Sequence, residues 1–229
     1  MKIALCFAGQ PRFIDRINFD NLTQDHQVDT YAHFWWDESY RGKPFAWNST
    51  LTYPDDYDPI KDFEQRMKPK KLVYEKYPDF DLSGFKMVSR MEFSLEDSVV
   101  RESIYRQKCQ WQSIKNSIDL VDGGYDLVIR MRTDLEFPER VALEELDGDG
   151  LYLMDGSLQA GRGREYCDWF YCGPIHRMKE FDVLKVYDEF YKNGIRHMHE
   201  LIFETLATLQ MPHIVLDLKA WMIDRNKIK

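Results

Sequence analysis

The chain has 229 residues, 44% of them apolar and 14% aromatic, with a formal net charge of −8. That length and apolar fraction suit one domain over residues 1–229 with a sizeable core. The acidic balance and the lack of any basic block exclude binding to nucleic acid or a membrane surface by bulk charge, and no apolar stretch reaches the roughly 20 residues that span a bilayer.

Lys2–Ala8 (KIALCFA) reads as a short buried strand ending in a sharp loop, Gly9-Gln10-Pro11-Arg12. The run is too short for a secretory leader. Val28–Phe34 alternates as a second strand and enters the aromatic, acidic segment Trp35-Trp36-Asp37-Glu38. Ser39–Asp58, rich in Tyr, Pro, Asp and Asn, reads as an ordered loop, Asp58–Met67 as a short helix, Lys71–Tyr74 as a third strand and Pro78–Lys86 as a loop. A capping-box-like Ser94-Leu95-Glu96-Asp97 opens the clearest helix. Its apolar stripe runs through Val100, Ile104, Trp111, Ile114, Ile118 and Val121, with Gln107 as a polar member, and Gly123-Gly124 stops it.

The strand Leu127–Arg132 follows. Gly150–Met154 and Trp169–Cys172 read as two more strands joined by the glycine-bearing loop Gly156–Arg164. Met178–Tyr191 and Met198–Leu209 read as helices and His213–Leu218 as a last strand. The alternation predicts an α/β fold: a single Rossmann-related domain with a mainly parallel central sheet and helices on both faces. Its ligand crevice is expected at the carboxyl ends of the strands.

Tyr125–Phe137 (YDLVIRMRTDLEF) carries the most chemistry. Arg130, Arg132, Asp134 and Glu136 recur at every second position, so an extended chain projects all four to one side. Guanidinium forks suit phosphate oxygens, and carboxylates suit a hard cation. The bland alternative is an edge-strand ladder of salt bridges, each contributing under about 1 kcal/mol.

No GxGxxG, GxxxxGK[ST] or GxSxG motif is present, which removes the commonest dinucleotide, P-loop and hydrolase chemistries. Asp134 and Glu136, spaced i and i+2, remain as candidate ligands for Mn²⁺ or Mg²⁺. This is the logic of the D-x-D motif of nucleotide-sugar enzymes. Cys6, Cys109, Cys167 and Cys172 contain no CxxC pair, which argues against a zinc site or a disulfide framework and fits a reducing, cytoplasmic setting. His197, His199 and His213 could complete a metal site, although H-x-H-E is not the H-E-x-x-H pattern and helix-end contacts explain them more simply. Trp35 and Trp36 could stack on a sugar or base, or pack in the core. Gln107 could reach a pocket, or be a satisfied buried glutamine.

Five blocks together resemble a known family: ALCFAGQPR, HFWWDE, YDLVIRMRTDL, DWFYCG and HELIFETL. They are similar to the GT-A glycosyltransferases of viral and bacterial surface-glycan pathways, a group that includes the N-terminal rhamnosyltransferase domain of a large algal virus. The resemblance covers most of the chain. It implies a nucleotide-diphosphate-sugar donor and a glycan or glycoprotein acceptor. It further implies that Ala8, Gly9, Gln10 and Arg12 line the nucleotide pocket, that Arg130 sits near the base or ribose, and that Asp134 binds metal and diphosphate. Asp168 would lie by the acceptor hydroxyl. The chain departs from a strict D-x-D by carrying Glu136.

An inverting transfer needs a carboxylate base, for which Asp168 is the first candidate and Glu200 the second. Two other readings compete: a nucleotidyltransferase acting on sugar phosphates, disfavoured because the first loop carries Arg12 and no lysine, and a non-catalytic glycan-binding module, which would leave the RxRxD strand without a task.

Overall fold

The computed structural model describes residues 1–229 except 46–47, 86–96, 147, 156–165, 194–197, 217, 219 and 223–229. The chain begins with β1 (Lys2–Gly9), whose alternation accounts for both layers of the molecule. Ile3, Leu5 and Phe7 join a core layer with Phe13, Ile14, Leu22, Ile60 and Phe63. Ala4, Cys6 and Ala8 belong to the opposite layer, with Trp111, Ile114 and Ile118. The residues on that second face are small, so a long helix can lie close against the strand.

The helix α1 (Asp20–Thr23) is followed by β2 (Gln27–Trp35), the hairpin strands β3 (Pro44–Phe45) and β4 (Asn48–Thr52), α2 (Pro59–Met67) and β5 (Lys71–Glu75). Next come α3 (Asp97–Asp119), β6 (Leu127–Met131), β7 (Leu135–Glu136), β8 (Leu151–Asp155) and β9 (Tyr166–Gly173). The last elements are α4 (Ile175–Glu180), α5 (Leu184–Lys192), α6 (Met198–Thr208), β10 (His213–Leu216) and β11 (Trp221–Met222).

Seven strands form the main sheet in the order β10-β8-β9-β6-β1-β2-β5. Neighbours run parallel except at β9, which is antiparallel to both β6 and β8. This is the expected mainly parallel α/β sheet. The layer containing Leu22, Ile60 and Phe63 carries α1 and α2, and the other carries α3 to α6. The reversal of β9 brings its amino-terminal end to the edge where β1, β2 and β6 finish, and this reversal builds the site described below.

The helix expected over Met178–Tyr191 is two helices. The Asp182 carboxylate accepts the Leu184 N–H at 3.1 Å and starts a new helix there, while Phe181 drops into the core against Trp111 and Tyr171. The expected loop Ser39–Asp58 contains the β3–β4 hairpin. Its end is well placed: Asp58 Oδ1 accepts the N–H groups of Ile60 and Lys61, both at 3.0 Å, and caps α2. The Ser94–Glu96 part of the capping box, the loop over 156–164 and His197 lie outside the described residues. All four cysteines are buried free thiols, and burial pushes those of Cys109 and Cys167 up to about 12. Among the described residues no helix is long and apolar enough to cross a membrane.

Candidate active site

The four alternating charges of the 125–137 segment do not form one ladder. β6 stops at Met131, the chain turns at Thr133 and Asp134, and it restarts as β7 in a separate two-stranded ribbon with β11. Glu136 therefore stands exposed on that ribbon, opposite Trp221, while Asp134 is only 2% exposed. The expected Asp134–Glu136 pair is separated by a change of sheet, because the period of two holds only while the strand continues.

Arg132 and Asp134 meet directly. Arg132 donates from Nε to Asp134 Oδ1 at 2.7 Å and from Nη2 to Oδ2 at 2.6 Å, a bidentate pair. Burial opposes the Arg132 charge, but Asp134 more than compensates, and the guanidinium is held above its ordinary range. The β6–β9 register then repeats one motif. The Arg130 guanidinium lies 5.7 Å from the centre of the Tyr171 ring, its cross-strand partner, and that of Arg132 lies 5.8 Å from the Trp169 ring.

Arg130 is fully enclosed on the α3 side, between Cys6 and Tyr171. Its Nε and Nη1 have no hydrogen-bond partner. Burial lowers its pKa, opposed by Tyr171 and Asp168. A fully buried guanidinium with two unsatisfied donors is costly and marks the place as polar for a reason other than stability. In this state it contacts no surface that a nucleobase could reach, so the expected role near base or ribose is not visible in its placement.

Asp168 begins the crossing of β9 over this edge and is 4% exposed. It accepts a hydrogen bond from Gln110 Nε2 of α3 at 2.6 Å. Its charge acts on both Arg130 and Arg132. Gln110 is the residue that the sequence reading missed. Gln107, which it singled out, lies one turn earlier and is a packing partner: its Oε1 accepts from the Tyr191 hydroxyl and its Nε2 reaches Ser103. Glu200 stands beside Tyr191, where burial and then the Glu200 charge hold the tyrosine hydroxyl above its usual value.

The Gly9 loop closes the other side. Gly9 has φ +97°, a conformation that favours glycine, although open space surrounds the position of a Cβ. Its N–H donates to Ser113 Oγ at 2.7 Å. Ala8 is buried beneath the same helix. Gln10 Oε1 accepts from Arg12 Nε at 3.0 Å and from Nη2 at 2.6 Å. Burial and the neighbouring Arg132 lower the Arg12 pKa to about 10, with Asp134, Tyr53 and Tyr77 acting the other way.

Ser113 also organises His33. The hydroxyl gives its one proton to the His33 carbonyl at 2.7 Å, so it must accept from both Gly9 N–H and His33 Nδ1, which is 2.9 Å away. The bonding thus places a proton on Nδ1, while Nε2 lies 3.0 Å from both Asn116 Nδ2, a donor, and Glu75 Oε1, an acceptor, and can serve only one of them at a time. Ser113, His33 and Glu75 superficially match a hydrolase triad. Ser113 is fully buried and its proton is committed to a backbone carbonyl, so the set is a structural lock.

Around Arg12 stands an aromatic wall. Trp35 is buried, donates to the Cys109 carbonyl at 2.8 Å and stacks on Tyr77 with centroids 5.8 Å apart. Trp36 is buried against Tyr53 and Tyr40. His213 is held by the Tyr166 hydroxyl at 2.7 Å, as a packing histidine.

Among the described residues the site gathers three guanidiniums (Arg12, Arg130, Arg132) and two carboxylates (Asp134, Asp168) at the carboxyl edge of the sheet, a surplus of one positive charge among these five within an acidic protein. Among the described residues no group of three or more His, Cys, Asp or Glu side chains converges as a metal cage. A guanidinium is already seated on both oxygens of Asp134, and a hard cation there would have that one carboxylate and substrate phosphates as its ligands. No family model matches the chain, and no curated protein is significantly similar to it.

Proposed function

We propose that the chain is a glycosyltransferase that moves a sugar from a nucleotide-diphosphate donor to a glycan or glycoprotein acceptor in a reducing, cytoplasmic setting. The observation that carries this reading is the surplus positive charge of the Arg12–Arg132–Asp134–Asp168–Arg130 cluster at the carboxyl edge of a mainly parallel sheet. Such an edge is where open α/β sheets bind ligands, and a net cation there selects an anion such as a diphosphate. The half-buried Tyr77 near Arg12, with the half-buried Tyr40 packed against it, offers an aromatic surface for a base or sugar.

In this reading Arg12 and Arg132 hold the diphosphate and meet the charge that grows on it as the glycosidic bond breaks. Asp168 takes the proton of the acceptor hydroxyl as its oxygen attacks the anomeric carbon, and Gln110 fixes the carboxylate that does so. Asp134 would hold Mn²⁺ or Mg²⁺, which when bound supplies Lewis-acid neutralisation of the leaving diphosphate. Glu136, exposed on its ribbon, is not needed for that task.

The test is a thermal-shift panel of UDP-, GDP-, dTDP- and CMP-sugars with and without Mn²⁺. At a hundredfold excess over Kd a ligand stabilises by about 2.7 kcal/mol, which for a chain of this size is a rise in Tm of roughly 5–10 °C. At least one donor should produce it. If none moves Tm under either condition, the nucleotide-sugar reading is wrong.

A further inference from the structure

A second concavity lies beside α2, outside the arginine cluster. It is a groove of about 430 Å³ between the turn at Ile14–Arg16, the segment carrying Arg41, and α2 with the loop that leads into it. That volume falls within the roughly 300–1,000 Å³ of ligand clefts. Steps of three and four residues along α2 put Asp58, Asp62 and Gln65 on one side, and Asp56 and Tyr57 enter from the loop. The segments carrying Arg41 and Asp56 are pinned together. Arg41 donates to the Tyr57 carbonyl, and the Gly42 N–H donates to the Tyr53 carbonyl at 2.9 Å. Gly42 has φ +66°, and a Cβ there would meet Asp55 Oδ1 at 2.6 Å, so a glycine is what lets the two segments close.

The polar groups of the groove fall into two sets. One is committed and holds the walls. Asp58 caps α2 through Oδ1, with Arg41 Nη2 3.4 Å from its Oδ2. Asp62 accepts the Tyr57 hydroxyl on Oδ2 at 2.8 Å and Arg66 Nε on Oδ1 at 2.6 Å. The other set is uncommitted: Asp56, Lys61 and Gln65 are exposed and have no partner among the described residues. The charges nearly cancel. Arg41 stands by Asp58 and Arg66 by Asp62, Arg16 lies 3.6 Å from Asp15, and Lys61 is left to balance Asp56. An ion gains little from such a field. A neutral molecule rich in hydroxyls finds a carboxylate that accepts, an ammonium that donates and an amide that does both. The half-buried Tyr57 ring beside them suits the apolar face of a sugar.

We propose that this groove binds a neutral oligosaccharide and, in the enzyme proposed above, holds a part of the acceptor glycan remote from the reacting hydroxyl. Aromatic packing links it to the arginine cluster. The Arg41 guanidinium lies 5.9 Å from the Trp36 ring centre, Trp36 packs on Tyr53 with centroids 4.7 Å apart, and Tyr53 is one of the groups acting on Arg12. Asp15, at the groove, follows Arg12 by three residues. Binding at such a distance adds affinity for a longer acceptor without touching the reacting atoms. The acceptor role rests on the transferase reading; the binding of a saccharide does not.

Titration calorimetry with neutral tetrasaccharides of glucose, mannose, galactose and N-acetylglucosamine tests the groove. At least one should bind with a Kd of about 1 mM or tighter. That Kd should hold from about 0.05 to 0.5 M salt, because the ligand carries no charge to be screened. Gln65→Ala and Asp56→Ala, both at exposed positions, should each weaken binding about three- to tenfold, the loss of a hydrogen bond. Circular dichroism checks that each variant is folded. If no tetrasaccharide binds, or if both variants leave Kd unchanged, the proposal is overturned. Tetralysine and a sulfated tetrasaccharide are the charged controls, and tighter binding of either than of every neutral one refutes it as well. The acceptor role is read from transfer kinetics. Both variants should raise KM for a tetrasaccharide acceptor and not for a monosaccharide one; equal KM values for the longer acceptor would remove that role. If a tetrasaccharide binds through Asp56 and Gln65 while no nucleotide-sugar shifts Tm, the groove stands and the transferase reading falls.

Discussion

Asp134 shows how one residue can matter for two reasons that must be separated. As a candidate metal and diphosphate ligand it invites the substitution Asp134→Asn, with loss of donor turnover as the expected result. The structure adds a second consequence. Asp134 is buried and is the bidentate partner of Arg132, so the amide would face a guanidinium with a donor as well as an acceptor. Losing charge-assisted hydrogen bonds of this kind costs about 1.5–3 kcal/mol. Asp134→Asn should therefore lower stability by that amount in urea denaturation, and any loss of activity must be measured well below its transition. A variant as stable as wild type would mean that the pair is not held in solution as described. Arg130 is the other residue of this kind. Its unsatisfied Nε and Nη1 have no structural return, and its charge interacts with that of Asp168.

The pairing of α3 with β9 is what turns a row of strand ends into a site. Gln110 on α3 holds Asp168 on β9 at 2.6 Å. If Asp168 is the base, Gln110 is a positioning residue, and small displacements of a catalytic group are expensive. Gln110→Ala should lower kcat by about ten- to a hundredfold with KM for the donor little changed. Gln110→Glu, which cannot donate to the carboxylate when ionised, should displace the pH profile of kcat, a readout that loss of packing would not move. An unchanged kcat and profile in both would remove Asp168 from the chemistry. This contact also marks the limit of what the sequence could say. β1, β2, α3 and β6 were legible because buried runs and a helical stripe declare themselves locally. That Arg132 and Asp134 fall on one side was legible because two residues apart is a local relation, but their direct pairing was not read. The Gln110–Asp168 contact spans 58 positions and depends on β9 running against β6, which no local pattern encodes. The same holds for Glu136. Its separation from Asp134 follows from β7 pairing with β11, a distant strand of two residues. Likewise, the break at Phe181 interrupts a stripe that reads as continuous, because both helices bury the same face.

At the scale of the whole molecule, the stability of the fold is tied to one proton. His33 on β2 joins β1, α3 and β5 through Ser113, Asn116 and Glu75, and Ser113 in turn secures the Gly9 turn. Burial lowers the His33 pKa below its usual 6.5, against an opposing pull from Glu75. The neutral ring with its proton on Nδ1 satisfies Ser113 and Asn116 together but turns a lone pair toward the Glu75 carboxylate, whereas the charged ring satisfies Ser113 and Glu75 and turns Asn116 away. The sign follows. Between the folded and unfolded pKa values the unfolded chain binds more protons, so stability rises with pH there. The contribution is present in full above about pH 6.5 and is lost as pH falls through the lower folded value. Exposed carboxylates with lowered pKa values, such as Asp122 beside Lys71, also lose their contribution on acidification, but only below their ordinary value near 3.8. The two windows are separate, so urea midpoints measured from pH 7.5 down to 5 isolate the histidine. The midpoint should fall across that range in wild type. His33→Gln should be less stable at pH 7.5, because it breaks a buried network, yet show a flatter dependence on pH. A wild-type midpoint that held constant or rose on acidification would mean that Glu75 outweighs burial, with His33 charged in the folded protein, and Ser113, Asn116 and the Gly9 turn would then be arranged around an imidazolium instead.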